Sequence, residues 1–179
     1  MNITIPKSVT ECSRYTFWGA KYLTRVIFED GMEKIPDSIL DCTGSWESNV
    51  QEIVIPDTVT EIGSYAFHNF RKVKKINIPN SVTRIGLGAF YYCINLTSIT
   101  IPKSVTSIGD VAFAYCQSLT NIEISSSVTT IGKYAFQNCS NLEITVPSTV
   151  ETIEYENAFE GCKSVTYENE KGRDKYFGN

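Results

Sequence analysis

The feature that most constrains this chain is a phenylalanine that returns every 23 residues. Each copy follows an alanine, while an Ile-Gly pair and a cysteine keep the same period. A unit of this length cannot bury its own apolar face, so its copies must stack on one another. The five phenylalanines are Phe67, Phe90, Phe113, Phe136 and Phe159.

One regular copy reads LTSITIPKSVTSIGDVAFAYC and divides into three parts. Apolar and polar residues alternate in LTSITIP, which predicts a strand with Ile99 and Ile101 facing inward and Pro102 ending it. SIG predicts a second short extended segment, in which we expect Gly109 to ease a bend. DVAFAYC predicts a turn or two of α- or 3-10 helix, with Phe113 in the interior.

Stacked copies predict parallel strands about 4.8 Å apart, backed by continuous apolar ladders. The copies before residue 50 are degenerate, and a four-residue excess lies near DCTGSW. We therefore expect one solenoid of about seven copies over residues 1–167, degenerate in 1–49 and regular in 50–164. Residues 168–179 form a polar tail.

The unit LxxIxIPxSVTxIGxxAFxxCxx resembles the BspA-like leucine-rich repeat family. The resemblance implies an α/β repeat: a right-handed leucine-rich-repeat solenoid with a parallel sheet on its concave face and short helical or 3-10 segments opposite. It also implies a secreted or cell-surface protein of a host-associated microbe, with some relatives acting as adhesins. A cytoplasmic location stays open, because the N-terminus lacks the pattern of a secretory signal.

Charge and hydropathy exclude two classes of partner. The formal net charge is -4, and acidic and basic residues are interspersed. Nucleic acid binding needs a concentrated basic surface, and a polybasic membrane anchor needs a basic cluster. No apolar run approaches the roughly 20 residues that cross a bilayer, so we expect no direct membrane insertion.

No motif points to catalysis, a cofactor or a metal. The single histidine, His68, has no visible catalytic partner, and the six cysteines are too far apart for a zinc site. We expect the cysteine column to be a buried ladder of free thiols. A few disulfide bonds between neighbouring coils remain an alternative, because stacking brings the Cα atoms of successive cysteines within disulfide-bonding distance. The sequence therefore indicates a protein that is not an enzyme.

Two columns of outward strand residues are the candidate partner-binding site on the predicted concave face. Solenoids present such faces as extended binding surfaces, although a solvated sheet face needs the same polar alternation. The first column is Arg25, Glu52, Lys75, Ser98 and Asn121. The second column is Ile27, Val54, Asn77, Thr100 and Glu123.

Aromatic residues near the turns after the phenylalanine offer an alternative surface. Tyr and Trp are enriched where partners dock, but they also cover solenoid edges for structural reasons. The candidates are Trp18, Trp46, Tyr91, Tyr92 and Tyr115.

These observations favour a binding module that engages a protein, such as a host matrix or cell-surface macromolecule. A structural spacer without its own ligand is the alternative. The first strand, NITI, has no coil before it and no evident cap. The chain is therefore expected either to be cut from a longer array or to pair end to end.

Overall fold

The computed structural model describes residues 1–12, 16–17, 19–40, 48–153 and 156–168. Within them the chain forms a parallel β-solenoid of about seven turns, here called coils. Strands on the first face are β1 (Asn2–Ile5), β2 (Arg25–Phe28), β4 (Glu52–Val54), β6 (Lys75–Ile76), β8 (Ser98–Thr100), β10 (Asn121–Glu123), β12 (Glu143–Val146) and β14 (Ser164–Tyr167). Strands on the second face are β3 (Lys34–Ile35), β5 (Glu61–Ile62), β7 (Arg84–Ile85), β9 (Ser107–Ile108), β11 (Thr130–Ile131) and β13 (Thr152–Ile153).

The strands pair in parallel with their counterparts in the neighbouring coils, except that β4 and β6 are not paired. The first face consists of two sheets, β1-β2-β4 and β6-β8-β10-β12-β14, and the second face of one, β3-β5-β7-β9-β11-β13. The register follows the sequence period, so that Ile76 opposes Ile99 and Ile99 opposes Ile122. β8 ends at Thr100, before Pro102, because proline has no N–H to donate to the neighbouring strand.

The phenylalanine column fills the interior, as the sequence predicts. Phe67, Phe90, Phe113 and Phe136 are each 0% exposed. Neighbouring rings lie 5.1 Å apart for Phe90 and Phe113 and 5.3 Å apart for Phe113 and Phe136, and both pairs are stacked. Offset stacking adds to the free energy gained by burying the rings.

Among the described residues, the helical segments expected on the third side are absent except in the last coil. In their place, the N–H of Phe90 donates to the carbonyl of Ala112 in the next coil, at 2.8 Å, so it is not used within a helix. Positive φ angles at Val111 (47°) and Tyr115 (63°) also interrupt any helical turn. In the part of the chain that the structure describes, one 3-10 helix occurs, at Glu156–Phe159.

The repeated glycine is needed for close approach between coils, and the predicted bend is not its reason. Gly109 has no positive φ. A Cβ at this position would lie 2.7 Å from the carbonyl carbon of Gly86 and 2.8 Å from the amide nitrogen of Leu87. Both neighbours are backbone atoms, so only a residue without a side chain lets the coils meet here.

The cysteine column is a ladder of free thiols, as expected. Among the described residues the cysteines form no disulfide, and those of the central coils are buried. The thiol of Cys116 donates to the carbonyl of Phe90 at 3.3 Å, and that of Cys139 to the carbonyl of Phe113 at 3.1 Å. Burial raises the pKa of Cys116 and Cys139 well above the ordinary 9.0, and raises the pKa of Cys162 to about 12.

We expect the buried thiols to resist alkylation in the native protein. The thiolate is the reactive form, so a raised pKa and burial both protect Cys116 and Cys139, whereas half-exposed Cys12 should react. Site-resolved mass spectrometry after brief labelling at pH 8 measures this. Under denaturing, non-reducing conditions all six cysteines should titrate, and a lower number would reveal a disulfide.

Because folding favours the protonated form of the buried thiols, the free energy of unfolding should fall as pH rises from about 9 toward 12.

Candidate functional site

The outward residues of the first face form two exposed columns. Pairing places Lys75 beside Ser98 and Ser98 beside Asn121 in one column. In the other, Ile27 lies beside Val54, and Thr100 beside Glu123. Asn77 follows β6 directly and is also exposed. That these two columns bind a partner remains a prediction.

Ion pairs form at each end of the first face, and none is found at its centre among the described residues. The Nε atom of Arg25 lies 2.9 Å from a carboxylate oxygen of Glu52, and the Nζ atom of Lys163 lies 2.8 Å from Glu143. The hydrogen bond between Lys163 and Glu143 lowers the pKa of the carboxyl and raises that of the amine. Six central side chains make no ion pair or side-chain hydrogen bond within the described residues: Lys75, Asn77, Ser98, Thr100, Asn121 and Glu123.

The charged side chains of the second face are paired with one another. Glu61 accepts from both Lys34 and Arg84 at 3.2 Å, and the hydrogen bond to Glu61 raises the pKa of Lys34. Threonine hydroxyls donate to carbonyls of the preceding coil, as Thr83 does to Thr60 at 3.2 Å. This face therefore has fewer free polar groups to offer a partner than the centre of the first face.

The three described aromatic candidates form one cluster on the third side. The rings of Tyr92 and Tyr115 stack at 4.5 Å, and Tyr91 meets the ring of Tyr92 edge-on at 4.8 Å. All three are half-buried, and burial raises the pKa of Tyr91. Trp18 and Trp46 lie outside the described residues.

Two members of this cluster were missed by the sequence analysis. The ring of His68 lies 5.1 Å from that of Tyr91, and the ring of Tyr65 lies 5.8 Å from that of His68. Tyr65 also covers Gly88 of the next coil, where a Cβ would lie 2.4 Å from the ring. A large residue, Tyr65, followed 23 positions later by a glycine, Gly88, was the sequence signal that could have indicated this contact. Contacts among the rings account for the cluster without a partner.

A groove of about 710 Å³ extends the first face around its corner. Thr100 and Glu123 line it together with Lys103 and the two serines Ser125 and Ser126. Neighbouring copies carry proline in the place of Ser125. This difference at Ser125 was visible in the sequence, whereas the groove was not.

Neither metal binding nor membrane spanning has structural support in the described ranges. Among residues 1–12, 16–17, 19–40, 48–153 and 156–168, no cluster of three or more His, Cys, Asp or Glu side chains could hold a metal ion. No helix in those same ranges is long and apolar enough to cross a membrane.

The parallel coils, the phenylalanine ladder and the exposed strand face define a leucine-rich-repeat solenoid. The sequence matches the family described as BspA type leucine rich repeat region, in 6 copies, over residues 1–50 and 45–166. The chain belongs to the BspA-type leucine-rich repeat family.

Solved structures support the same fold. A T. pallidum leucine rich repeat protein is 23% identical, with a TM-score of 0.55, over 79% of this chain and 78% of that chain. A leucine-rich repeat protein from Eubacterium ventriosum is 24% identical, with a TM-score of 0.53, over 90% of this chain. This chain spans 58% of the length of the latter. Among curated proteins no match is found.

Proposed function

We propose that residues 1–167 form a non-enzymatic protein-binding module of a cell-surface or secreted, adhesin-like protein. The partner is a protein such as a host matrix component, and it binds the first face, taken as the concave face that the family resemblance implies. The surface location rests on that resemblance alone.

The observation that carries this proposal is the difference between the faces. Central side chains of the first face, such as Lys75, Asn121 and Glu123, are exposed and have no partner among the described residues. On the second face the charged side chains of β3, β5 and β7 are already ion-paired with one another, and the aromatic rings of the third side pack on one another. Polar groups that are already exposed and unpaired can bond to a partner without first losing an internal contact.

The first face also offers apolar contact beside its polar centre. Ile27 and Val54 are neighbouring, half-exposed residues of β2 and β4. The groove at Thr100 and Glu123 continues the surface at the other end. An apolar patch flanked by free polar groups is the composition expected of a protein interface.

An array of matrix proteins, cell-surface proteins and glycans, probed with the labelled chain, should identify the partner. On that partner, Lys75→Glu and Thr100→Glu should each weaken binding about tenfold, equivalent to about 1.4 kcal/mol, because they reverse or add charge in the contact area. Val54→Asp should weaken it through the apolar patch. Biolayer interferometry measures the dissociation constants.

Thr152→Glu is the matched control for Thr100→Glu. It makes the same change at an exposed threonine of the second face and should leave the affinity unchanged. Folded first-face variants that bind as well as the unmodified chain would show that the site lies elsewhere. An array without any signal would favour the alternative, a structural spacer.

A further inference from the structure

The coil that carries β6 begins with a run of basic residues, RKVKK, at positions 71–75. Val73, in the middle of this run, is 0% exposed. The exposed residues around it, here called the lysine strip, are Lys72, Lys74 and Lys75. At about 3.3 Å per extended residue, the strip covers about 10 Å of backbone. Positive charge is therefore concentrated locally, although the chain as a whole has a formal net charge of -4.

The lysine strip forms no ion pair among the described residues. Lys74 and Lys75 make no ion pair and no side-chain hydrogen bond there. The Nζ atom of Lys72 donates to the side-chain oxygen of Asn49, which is an uncharged amide. All three ammonium groups therefore keep their full positive charge at the surface and can bind an anionic group without first losing a carboxylate partner.

The coils on either side of the strip do not neutralise it. Glu52 lies one period before Lys75, but its carboxylate is already 2.9 Å from the Nε atom of Arg25. In the coils that follow, the same column continues with the uncharged residues Ser98 and Asn121. The strip is thus a band of positive charge one coil wide, bordered by hydroxyl and amide groups.

The backbone adds one hydrogen-bond donor beside the lysines. β4 and β6 are not paired, and the N–H of Lys74 has no acceptor among the described residues. In the next coil the equivalent N–H, that of Thr97, donates to the carbonyl of Lys74 at 2.9 Å. An unpaired backbone N–H next to ammonium groups favours an anionic oxygen, because hydrogen bonds to a charged acceptor are the strong ones.

We propose that the lysine strip binds the sulfate groups of a sulfated polysaccharide. Short runs rich in Lys and Arg form patches for heparin-like polymers and for nucleic acids. The polysaccharide crosses the strip along the direction of the coil, and its hydroxyl groups meet Asn77 and Ser98, which are exposed and have no side-chain partner among the described residues. The proposal does not rest on the protein partner of the first face, and Lys75 alone is common to both surfaces.

The residue types and the width of the strip favour a sulfated polysaccharide over a nucleic acid or an acidic protein segment. Arginine grips carboxylates and phosphates with two parallel hydrogen bonds, whereas lysine is a point charge that suits sulfates at varied positions along a chain. The one arginine of the run, Arg71, already donates from its Nε atom to Asn69 at 2.8 Å. A nucleic acid needs a broader basic surface, but the first face becomes neutral and then acidic at Glu123.

Surface plasmon resonance of the full chain over immobilised heparin tests the proposal. Affinity should fall about 20-fold as the salt concentration rises from about 50 to about 200 mM, because the lysines release a similar number of counterions from the polymer. Desulfated heparin keeps the sugar backbone without the sulfates and should give no binding. Duplex DNA should bind at least about tenfold more weakly than heparin, since it requires a broader basic surface.

Substitutions in the strip separate its charge from its shape. Lys74→Glu should weaken heparin binding about tenfold by reversing one charge, while Lys74→Arg keeps the charge and should bind like the unmodified chain. Lys72→Gln, Lys74→Gln and Lys75→Gln together should abolish binding. Lys103→Glu is the matched control, because it makes the same charge change at an exposed lysine outside the strip. It should alter the affinity less than about twofold, since salt screens a charge outside the contact area.

Three results would overturn the proposal. The unmodified chain could fail to bind heparin at any salt concentration. Desulfated heparin or duplex DNA could bind as tightly as heparin, which would indicate recognition of the sugar backbone or a nucleic-acid surface instead. The variant with all three glutamines could bind like the unmodified chain while circular dichroism shows that it is folded. Lys72 and Lys74 lie outside the proposed protein site, so neither a failed search for a protein partner nor a failed heparin experiment decides the other.

Discussion

Phe113→Ala is expected to lower the free energy of unfolding by about 3–5 kcal/mol, the usual cost of truncating a buried phenylalanine. The ring is 0% exposed and stacks between Phe90 at 5.1 Å and Phe136 at 5.3 Å. Its removal leaves a cavity in the middle of the ladder, where both neighbouring coils contribute to the walls. Urea denaturation followed by far-UV circular dichroism measures the loss.

Lys103→Ala is the control for this prediction. Lys103 is exposed in the same coil, and a surface change of this kind stays within about 0.5 kcal/mol. A loss below about 1 kcal/mol in Phe113→Ala would mean that the ladder does not hold the coils together.

Gly109→Ala is expected to destabilise the fold by about 3 kcal/mol, the upper end of the usual cost of overpacking. The new methyl group would lie 2.7 Å and 2.8 Å from backbone atoms of the coil before it. Backbone atoms in a hydrogen-bonded stack cannot turn aside as a flexible side chain can, so the two coils must separate. The urea midpoint again reports the change.

Gly19→Ala tests whether the stability lost in Gly109→Ala comes from crowding between coils or from an unfavourable backbone conformation. No atom lies within 4 Å of a Cβ at this position, but φ is +79°, so the cost should be about 1–2 kcal/mol from the left-handed backbone alone. Equal losses in the two variants would argue that contact between coils is not what requires Gly109.

The strands and the core were predictable because their causes are local and periodic. Alternation in each copy identifies Ile99 and Ile101 as inward residues, and both are buried. The helices predicted on the third side are absent from all described coils but the last, because hydrogen bonds there join different coils, as between Phe90 and Ala112. The helix predicted for DVAFAYC assumes that its backbone hydrogen bonds form within the segment. It also gives no reason to expect positive φ at Val111, a β-branched residue.

Strand alternation places the candidate residues of the first face, but the same pattern cannot show which are already paired. Arg25 forms an ion pair with Glu52, whereas Lys75 has no partner among the described residues. That difference depends on side-chain conformations across coils, and it is what distinguishes the centre of the face from its ends. The groove beside Glu123 is likewise lined by residues of neighbouring coils, such as Pro102 and Pro147, whose proximity the alternation does not show.

The 23-residue register makes the length of this protein easy to change in evolution. Because Ile76 pairs with Ile99 as Ile99 pairs with Ile122, duplicating one whole copy would insert a coil that fits both neighbours. Deleting a single residue within a strand would instead turn its inward side chains outward. Gene duplication in units of one repeat can therefore lengthen the exposed face while leaving the interior unchanged.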